Sequence, residues 1–162
     1  MLISLHDKLD PFNIIAAHIT LSLGGGLYET LVVYPNWKKD VHPSTLLEKL
    51  HSSGQMLAGT KFWPLVSPAQ VFLSIANMVM AYLHDGPARC VWLTAAVIIF
   101  ISRVITFSYF IPVMLRYIMK PEDVEPNRLR TIVKWWVALS PLRLLPEVAV
   151  WGLCIYAIAK MI

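Results

Sequence analysis

The stretch that most constrains the fold is Asn13–Tyr34, NIIAAHITLSLGGGLYETLVVY, which is long and apolar but carries His18 and Glu29. A membrane-spanning helix needs ~20 such residues at ~1.5 Å each. The two ionisable residues lie about three helical turns apart, so they share one face, and the small residues Ser22 and Gly25 lie on it too. A carboxylate in hydrocarbon costs roughly 3 kcal/mol or more unless it is paired. This face is therefore predicted to contact other helices rather than lipid.

The composition predicts an integral membrane protein. Hydrophobic residues make up 57% of the chain and charged residues 15%, with a mean hydropathy of +0.59. The net charge of +4 does not indicate a nucleic-acid partner, because no Lys/Arg-rich block or recognition motif is present. Cys90 and Cys154 are far apart and form no Cys-x-x-Cys motif, so neither a disulfide framework nor a zinc site is expected. The first 12 residues lack signal-peptide features, so we expect the first membrane helix to direct targeting.

The helical spacing of the apolar residues, together with the residues that start and end helices, predicts an all-α fold, a single transmembrane four-helix bundle. The predicted spans are residues 12–34, 67–84, 88–119 and 141–160. The first loop is predicted to hold a short amphipathic helix on the membrane surface at residues 43–57, and residues 127–139 are a second amphipathic segment. The aromatic residues that flank the first segment are expected to act as interface anchors: Trp37, Phe62 and Trp63.

Lysine and arginine are distributed unevenly between the two sides of the predicted bundle. The N-terminus, second loop and C-terminus hold three of them (Lys8, Arg89, Lys160), whereas the first and third loops with their flanks hold nine. The positive-inside rule places those two loops in the cytoplasm. Four spans with both termini on the non-cytoplasmic side are therefore predicted.

Four charged residues fall at similar depth in this arrangement: Glu29, Arg103, Arg143 and Glu147. Two arginines and two carboxylates can neutralise one another, and an isolated ion would be costly there. The quartet predicts either a purely structural network or a cavity that carries function.

Other polar and aromatic residues leave two interpretations open. Gln70 and Asn77 share one helix face and could make interhelical hydrogen bonds or contact a ligand. His18 could be a packing residue or a catalytic group. Trp135 and Trp136 suit membrane-interface anchoring or the wall of a pocket for a flat molecule. The glycines at 24–26 permit close helix packing or leave room for a ligand.

Three sequence motifs resemble the DUF1772 family, which includes the fungal anthrone oxygenases. They are GGGLYETLVVYPNW at the end of the first span, KFWPLVSPAQ at the entry to the second, and WWVALSPLR before the last. The four-helix layout of that family covers nearly the whole chain. The chain departs from the family at Ser140-Pro141, where Asn or His is common.

This resemblance implies a small integral membrane oxidoreductase that oxidises a lipophilic polycyclic or aromatic substrate with O2 in an intramembrane pocket, without a metal or organic cofactor. Glu29 or His18 would be the base, and the arginines would stabilise an enolate. The expected catalytic set is His18, Glu29, Arg103, Arg143 and Glu147. The residues expected to contact the substrate are Tyr28, Gln70, Asn77, Tyr109, Trp136 and Trp151.

Functions of other classes fit the same pattern. A non-enzymatic bundle could bind a lipid, a quinone or a partner subunit, and a channel or transporter could form as a homo-oligomer. A quinone-linked oxidoreductase of the DoxX type also has four helices and few motifs. A single connected cavity that reaches the charged quartet would favour the enzyme or a ligand-binding protein, whereas a dry, fully paired interior would favour a scaffold.

Overall fold

The computed structural model describes the backbone of residues 3–83, 85–87 and 89–161 and the side chains of residues 14–83, 85–87 and 89–156. The described chain is all-helical and contains no strand. It forms five continuous helices: α1 at residues 3–37, α2 at Pro43–Ser52, α3 at Gln55–Leu83, α4 at Arg89–Ile118 and α5 at residues 126–161.

Three of these helices contain wide π turns, in which a backbone N–H bonds to the carbonyl five residues earlier. The turns are Glu29–Val33 in α1, Ala58–Phe62 in α3, and Thr106–Phe110 and Met114–Ile118 in α4. Helix α5 instead contains a tight 3-10 turn at Ser140–Arg143. Wide turns are rare in helices and recur at functional sites.

The four long helices pack in a ring, in which α1 and α4 each contact both α3 and α5. One apolar cluster lies at the end formed by the start of α4, with Ile19, Trp92 and Val150 at its centre. A second lies at the opposite end and includes Trp37 of α1 and Leu46 of α2. Buried polar side chains fill the layer between the two clusters: Ser22, Glu29, Gln70, Arg103 and Glu147.

Three helices are long and apolar enough to cross a membrane, namely α3, α4 and the Pro126–Tyr156 portion of α5. They indicate an integral membrane protein. Helix α1 completes the ring, but the described part of α1 does not meet the same criteria of length and hydropathy. Three of the four predicted spans are therefore supported, and the fourth, in α1, stays a prediction.

Two predicted boundaries in the first loop are wrong. The amphipathic helix α2 ends at Ser52, because Gly54 adopts a left-handed conformation with φ of 81° that favours glycine. Helix α3 then starts at Gln55, well before the predicted start at residue 67. Its predicted last residue, His84, lies outside the described residues.

The remaining boundaries follow the sequence more closely. The segment predicted at 127–139 is helical from Pro126 to Leu139, but it continues through the 3-10 turn into the last span rather than standing apart. Glu125 caps its start by accepting hydrogen bonds from the backbone N–H groups of Asn127 and Arg128. Ala88, the predicted first residue of the third span, lies outside the described residues.

Candidate functional site

The charged quartet separates into two clusters. In the first, Arg103 of α4 and Glu147 of α5 form a buried ion pair, with Nη2 at 2.7 Å from Oε1. Ser22 of α1 donates a hydrogen bond of 2.9 Å to the same carboxylate oxygen. The pair therefore ties three helices together in the middle of the ring.

The second cluster surrounds Glu29, where π turn Glu29–Val33 begins. Its Oε1 accepts hydrogen bonds from Nε1 of Trp63 at 2.7 Å and from Nε2 of Gln55 at 3.2 Å, and its Oε2 accepts one from the Tyr34 hydroxyl at 2.9 Å. All three donors are uncharged. The carboxylate is 2% exposed and has no cation within 4 Å among the described side chains.

Arg143, in the 3-10 turn of α5, is the cation nearest to this cluster. Its Nη2 donates to the hydroxyl of Tyr34 at 3.4 Å, and its Nε donates to the carbonyl of Ser140 at 3.3 Å. The guanidinium stacks on the ring of Phe110 at 4.3 Å and lies 5.8 Å from the centre of the Trp136 ring. No carboxylate oxygen lies within 4 Å of it in the described part of the chain.

The expectation that all four charged residues neutralise one another is therefore wrong, because only two of them lie within ion-pair distance. Arg103 pairs with Glu147, one of the pairings that the prediction allowed, but Glu29 and Arg143 form no ion pair. The physical reason is that the Tyr34 hydroxyl lies between them, and that the aromatic rings hold the guanidinium by stacking.

A cavity of about 350 Å³ opens beside the Glu29 cluster, between the first half of α3 and the second half of α4. This volume is within the range of sites for small molecules. Its polar lining includes Glu29, Gln55 and Arg143, whereas most of its wall is apolar or aromatic. The lining residues Phe107 and Leu115 are exposed on the outer surface of a candidate span, so the cavity opens towards the side that lipid would cover.

The wide turns shape this cavity, because each of the four contributes to its wall. Glu29 comes from α1, Gly59 from α3, and Thr106, Phe110 and Met114 from the two turns of α4. A separate space of only about 10 Å³, close to the volume of one water molecule, is lined by Arg103, Glu147 and Arg143. Nε of Arg103 and Oε2 of Glu147 are buried without a partner among the described groups.

The other polar residues singled out from the sequence lie away from the cavity. Nε2 of His18 donates to the carbonyl of Val66 at 3.1 Å, a contact between α1 and α3. Asn77 accepts a hydrogen bond of 2.8 Å from Nε1 of Trp92, which joins α3 to α4. Gln70 is buried, and neither polar atom of its side chain has a described partner.

Of the aromatic residues expected to contact a substrate, only Trp136 lines the cavity. Tyr28 and Trp151 are 58% and 42% exposed on the outer surface, so their assignment to a substrate sandwich is not supported by their positions. Tyr109 lines a separate lateral groove, which shares Phe110 and Arg143 with the cavity. Trp136 itself is held by a hydrogen bond of 3.0 Å from its Nε1 to the carbonyl of Phe110.

Sequence reasoning missed the groups that hold Glu29. Trp63 was predicted to be an interface anchor, but its indole N–H bonds to the carboxylate, and Trp37, also predicted as an anchor, is fully buried. Gln55 was predicted to lie in the amphipathic helix at residues 43–57 on the membrane surface, but it is buried and bonds to the same carboxylate. The contact between Tyr34 and Glu29 could have been considered from the sequence, because the two residues are five positions apart, which brings them onto one face of a wide turn.

The described side chains include no group of three or more His, Cys, Asp or Glu residues that could hold a metal ion. Comparisons with protein-family models, with curated proteins and with solved structures find no match to this chain. The candidate site must therefore be interpreted from its own geometry.

Proposed function

We propose that the protein is a four-span membrane oxidoreductase that binds a flat, lipophilic aromatic molecule in the cavity between α3 and α4 and oxidises it with O2, as anthrone oxygenases do. In this proposal α1 is the fourth span, since it packs against two of the three apolar helices. The excess of lysine and arginine in the first and third loops supports both termini lying on the non-cytoplasmic side.

The observation that carries the proposal is the presence of Glu29 and Arg143 in the wall of one largely apolar cavity. A carboxylate can accept a proton from a weakly acidic C–H group. A guanidinium without a carboxylate partner can stabilise the negative charge that then develops on the substrate oxygen. Phe110 and Trp136 supply ring surfaces for a planar molecule.

The proposed reaction balances without an external reductant. Glu29 takes a proton from the CH2 group of the anthrone, and Arg143 holds the enolate oxygen. The enolate carbon forms a bond to O2, and the terminal oxygen of the resulting peroxide takes the proton back from Glu29 to give a hydroperoxide. Loss of water then breaks the O–O bond and the remaining C–H bond, which leaves a second carbonyl: one anthrone and one O2 give one anthraquinone and one water.

The test uses the purified full-length protein in lipid nanodiscs with anthrone as the probe. We expect anthrone to quench tryptophan fluorescence and to disappear with one O2 consumed per molecule. In Glu29→Gln we expect binding to persist while the rate falls by roughly 10²–10⁴-fold, as for loss of a general base. Unchanged O2 uptake in this variant would refute the role of Glu29.

Two adjacent tryptophans provide a matched control for the location of binding. Trp136 is 4% exposed and lines the cavity, whereas Trp135 is 56% exposed and does not. Trp136→Phe should therefore remove more of the ligand-dependent quenching than Trp135→Phe. Equal losses in the two variants would place the ligand outside this cavity.

A second candidate function is a non-enzymatic protein that binds a lipid or quinone in the same cavity. It is favoured by the three hydrogen bonds that Glu29 already accepts, which suit a fixed structural carboxylate as well as a base. Saturable quenching without O2 uptake would select this function. Absence of any quenching would exclude both.

A further inference from the structure

A second candidate site lies at the surface, where the end of α1 meets the first half of α5. A groove of about 500 Å³ is lined by Lys38, Lys39 and Lys134. It adjoins a depression of about 560 Å³ that shares Lys38 and Lys134 and adds Arg130 and Asp40. We call these two adjoining spaces the basic groove.

The positive charge of the basic groove is largely unbalanced. Its lysines and Arg130 have no acidic side chain within 4 Å among the described residues. Arg130 instead donates through Nε to the carbonyl of Val41 at 3.1 Å. Asp40 is the single acidic residue in the described lining, so four basic side chains face one carboxylate.

The basic groove also borders apolar surface. Val137, Ala138 and Pro141 complete its wall on α5, where this helix continues towards its apolar portion. Lys38 and Lys39 follow directly after the last residue of α1. An amphiphile with an anionic head and an apolar body matches this order of charge followed by apolar surface, whereas a nucleic acid would leave the apolar wall uncovered.

We propose that the basic groove binds the phosphate headgroup of an anionic phospholipid, with the lipid's acyl chains lying along α5. Lysines near an anionic membrane surface each contribute about fivefold to such binding. This inference requires the protein to lie in a membrane, but it does not depend on which molecule occupies the central cavity or on any reaction there.

The test is native mass spectrometry of the full-length protein in micelles that contain equal amounts of phosphatidylglycerol and phosphatidylcholine. The test variant is Lys38→Gln/Lys39→Gln/Lys134→Gln. The matched control is Lys61→Gln/Arg116→Gln/Lys120→Gln, which removes the same charge from three cations outside the groove. All six residues are exposed, and thermal unfolding checks that both variants fold.

The wild type should retain phosphatidylglycerol in preference to phosphatidylcholine, and the control variant should keep this preference. The test variant should lose it, with affinity for phosphatidylglycerol reduced on the order of 100-fold. Equal retention of both lipids by the wild type, or equal losses in the two variants, would overturn the proposal. Displacement of the lipid by inorganic phosphate alone would also overturn it, because the groove would then be a site for a soluble anion.

Discussion

Glu29 and Glu147 are two buried carboxylates, each 2% exposed, that the same bundle stabilises in different ways. Glu147 is paired with an arginine and faces a space that holds about one water molecule. Glu29 accepts hydrogen bonds from three uncharged donors and faces a cavity large enough for a small molecule. The cation that could have paired with Glu29, Arg143, is held by aromatic rings instead.

This difference indicates different roles for the two carboxylates. An ion pair whose partners neutralise each other has little charge left for a ligand, so Glu147 and Arg103 mainly hold three helices together. A carboxylate and a guanidinium kept apart by the Tyr34 hydroxyl both retain the capacity to interact with a third molecule. The difference is the reason why the proposed reaction uses Glu29 and not Glu147.

The largest expected effect comes from removing one partner of the ion pair. Arg103→Leu leaves the Glu147 charge buried and unpaired, which should destabilise the protein by about 3–5 kcal/mol. Arg143→Leu removes a partly exposed cation with no ion pair, so its cost should be far smaller. Unfolding of both variants in detergent measures the difference. Equal destabilisation by the two variants would contradict the difference between the two arginines. The double variant Arg103→Leu/Glu147→Leu should recover much of the stability that Arg103→Leu loses, because no unpaired charge remains buried.

A smaller effect is expected where α1 approaches α5 between the two carboxylates. A methyl group on Gly26 would overlap the side chain of Leu144, whereas one on Gly24 would meet nothing within 4 Å. Gly26→Ala should therefore cost about 1 kcal/mol, the low end of overpacking costs, because the atom that must move is the terminal methyl group of Leu144. Gly24→Ala should be neutral or slightly stabilising, since alanine favours helix. Thermal unfolding of the two variants checks this, and a neutral Gly26→Ala would mean that α1 and α5 are less closely packed.

Tyr34→Phe tests what keeps Glu29 and Arg143 apart. The change removes one hydrogen bond to the carboxylate and one from the guanidinium, with an expected loss of about 1 kcal/mol in unfolding free energy. Adding Arg143→Leu to this variant should then cost more than Arg143→Leu alone, because the arginine can pair with Glu29 once the hydroxyl is gone. A double-mutant cycle measures this coupling, and strictly additive costs would contradict it.

The smallest effect concerns an exposed carboxylate that serves as a reference for the two buried ones. Hydrogen bonds from the N–H groups of Asn127 and Arg128 lower the pKa of Glu125 below its usual value. The cap therefore stabilises the folded protein at neutral pH, and this contribution is lost as the pH falls through the lowered pKa. Glu125→Gln should unfold slightly earlier than the wild type at neutral pH but not in strong acid. A difference that persists in strong acid would rule out the carboxylate as its cause.

The sequence was sufficient to predict the helical class, the buried face of α1 and a set of charged residues in the interior, because these depend on spacing and charge balance. It did not specify which arginine pairs with which carboxylate. The start of α3 was not predicted, since Gly59 and Pro64 interrupt the helical pattern of residues 55–66 and the first loop before them is polar. Tertiary contacts hold this part of the helix instead, namely the bonds from Gln55 and Trp63 to Glu29 and the close approach of Phe62 to Gly25. A single sequence gives no direct signal for such contacts.

The cavity beside Glu29 could not be predicted from the sequence either, for a related reason. Spacing arguments assume 3.6 residues per turn, which holds for the first half of α4 but not for the two wide turns at residues 106–110 and 114–118. Phe110 and Met114 could therefore not be assigned to the cavity wall from the sequence.

Each wide turn behaves like one residue inserted into a regular helix, and this alters the angular phase of everything that follows it. One residue corresponds to a rotation of ~100°, so the turn Thr106–Phe110 rotates the part of α4 that follows it by roughly a quarter of a revolution relative to a regular helix, and the second turn forms the end of α4. Deleting a single residue from Thr106–Phe110 would restore the regular phase and turn a different set of side chains inward. For this chain, length changes inside the helices are accordingly a more direct way to remodel the interior than substitutions.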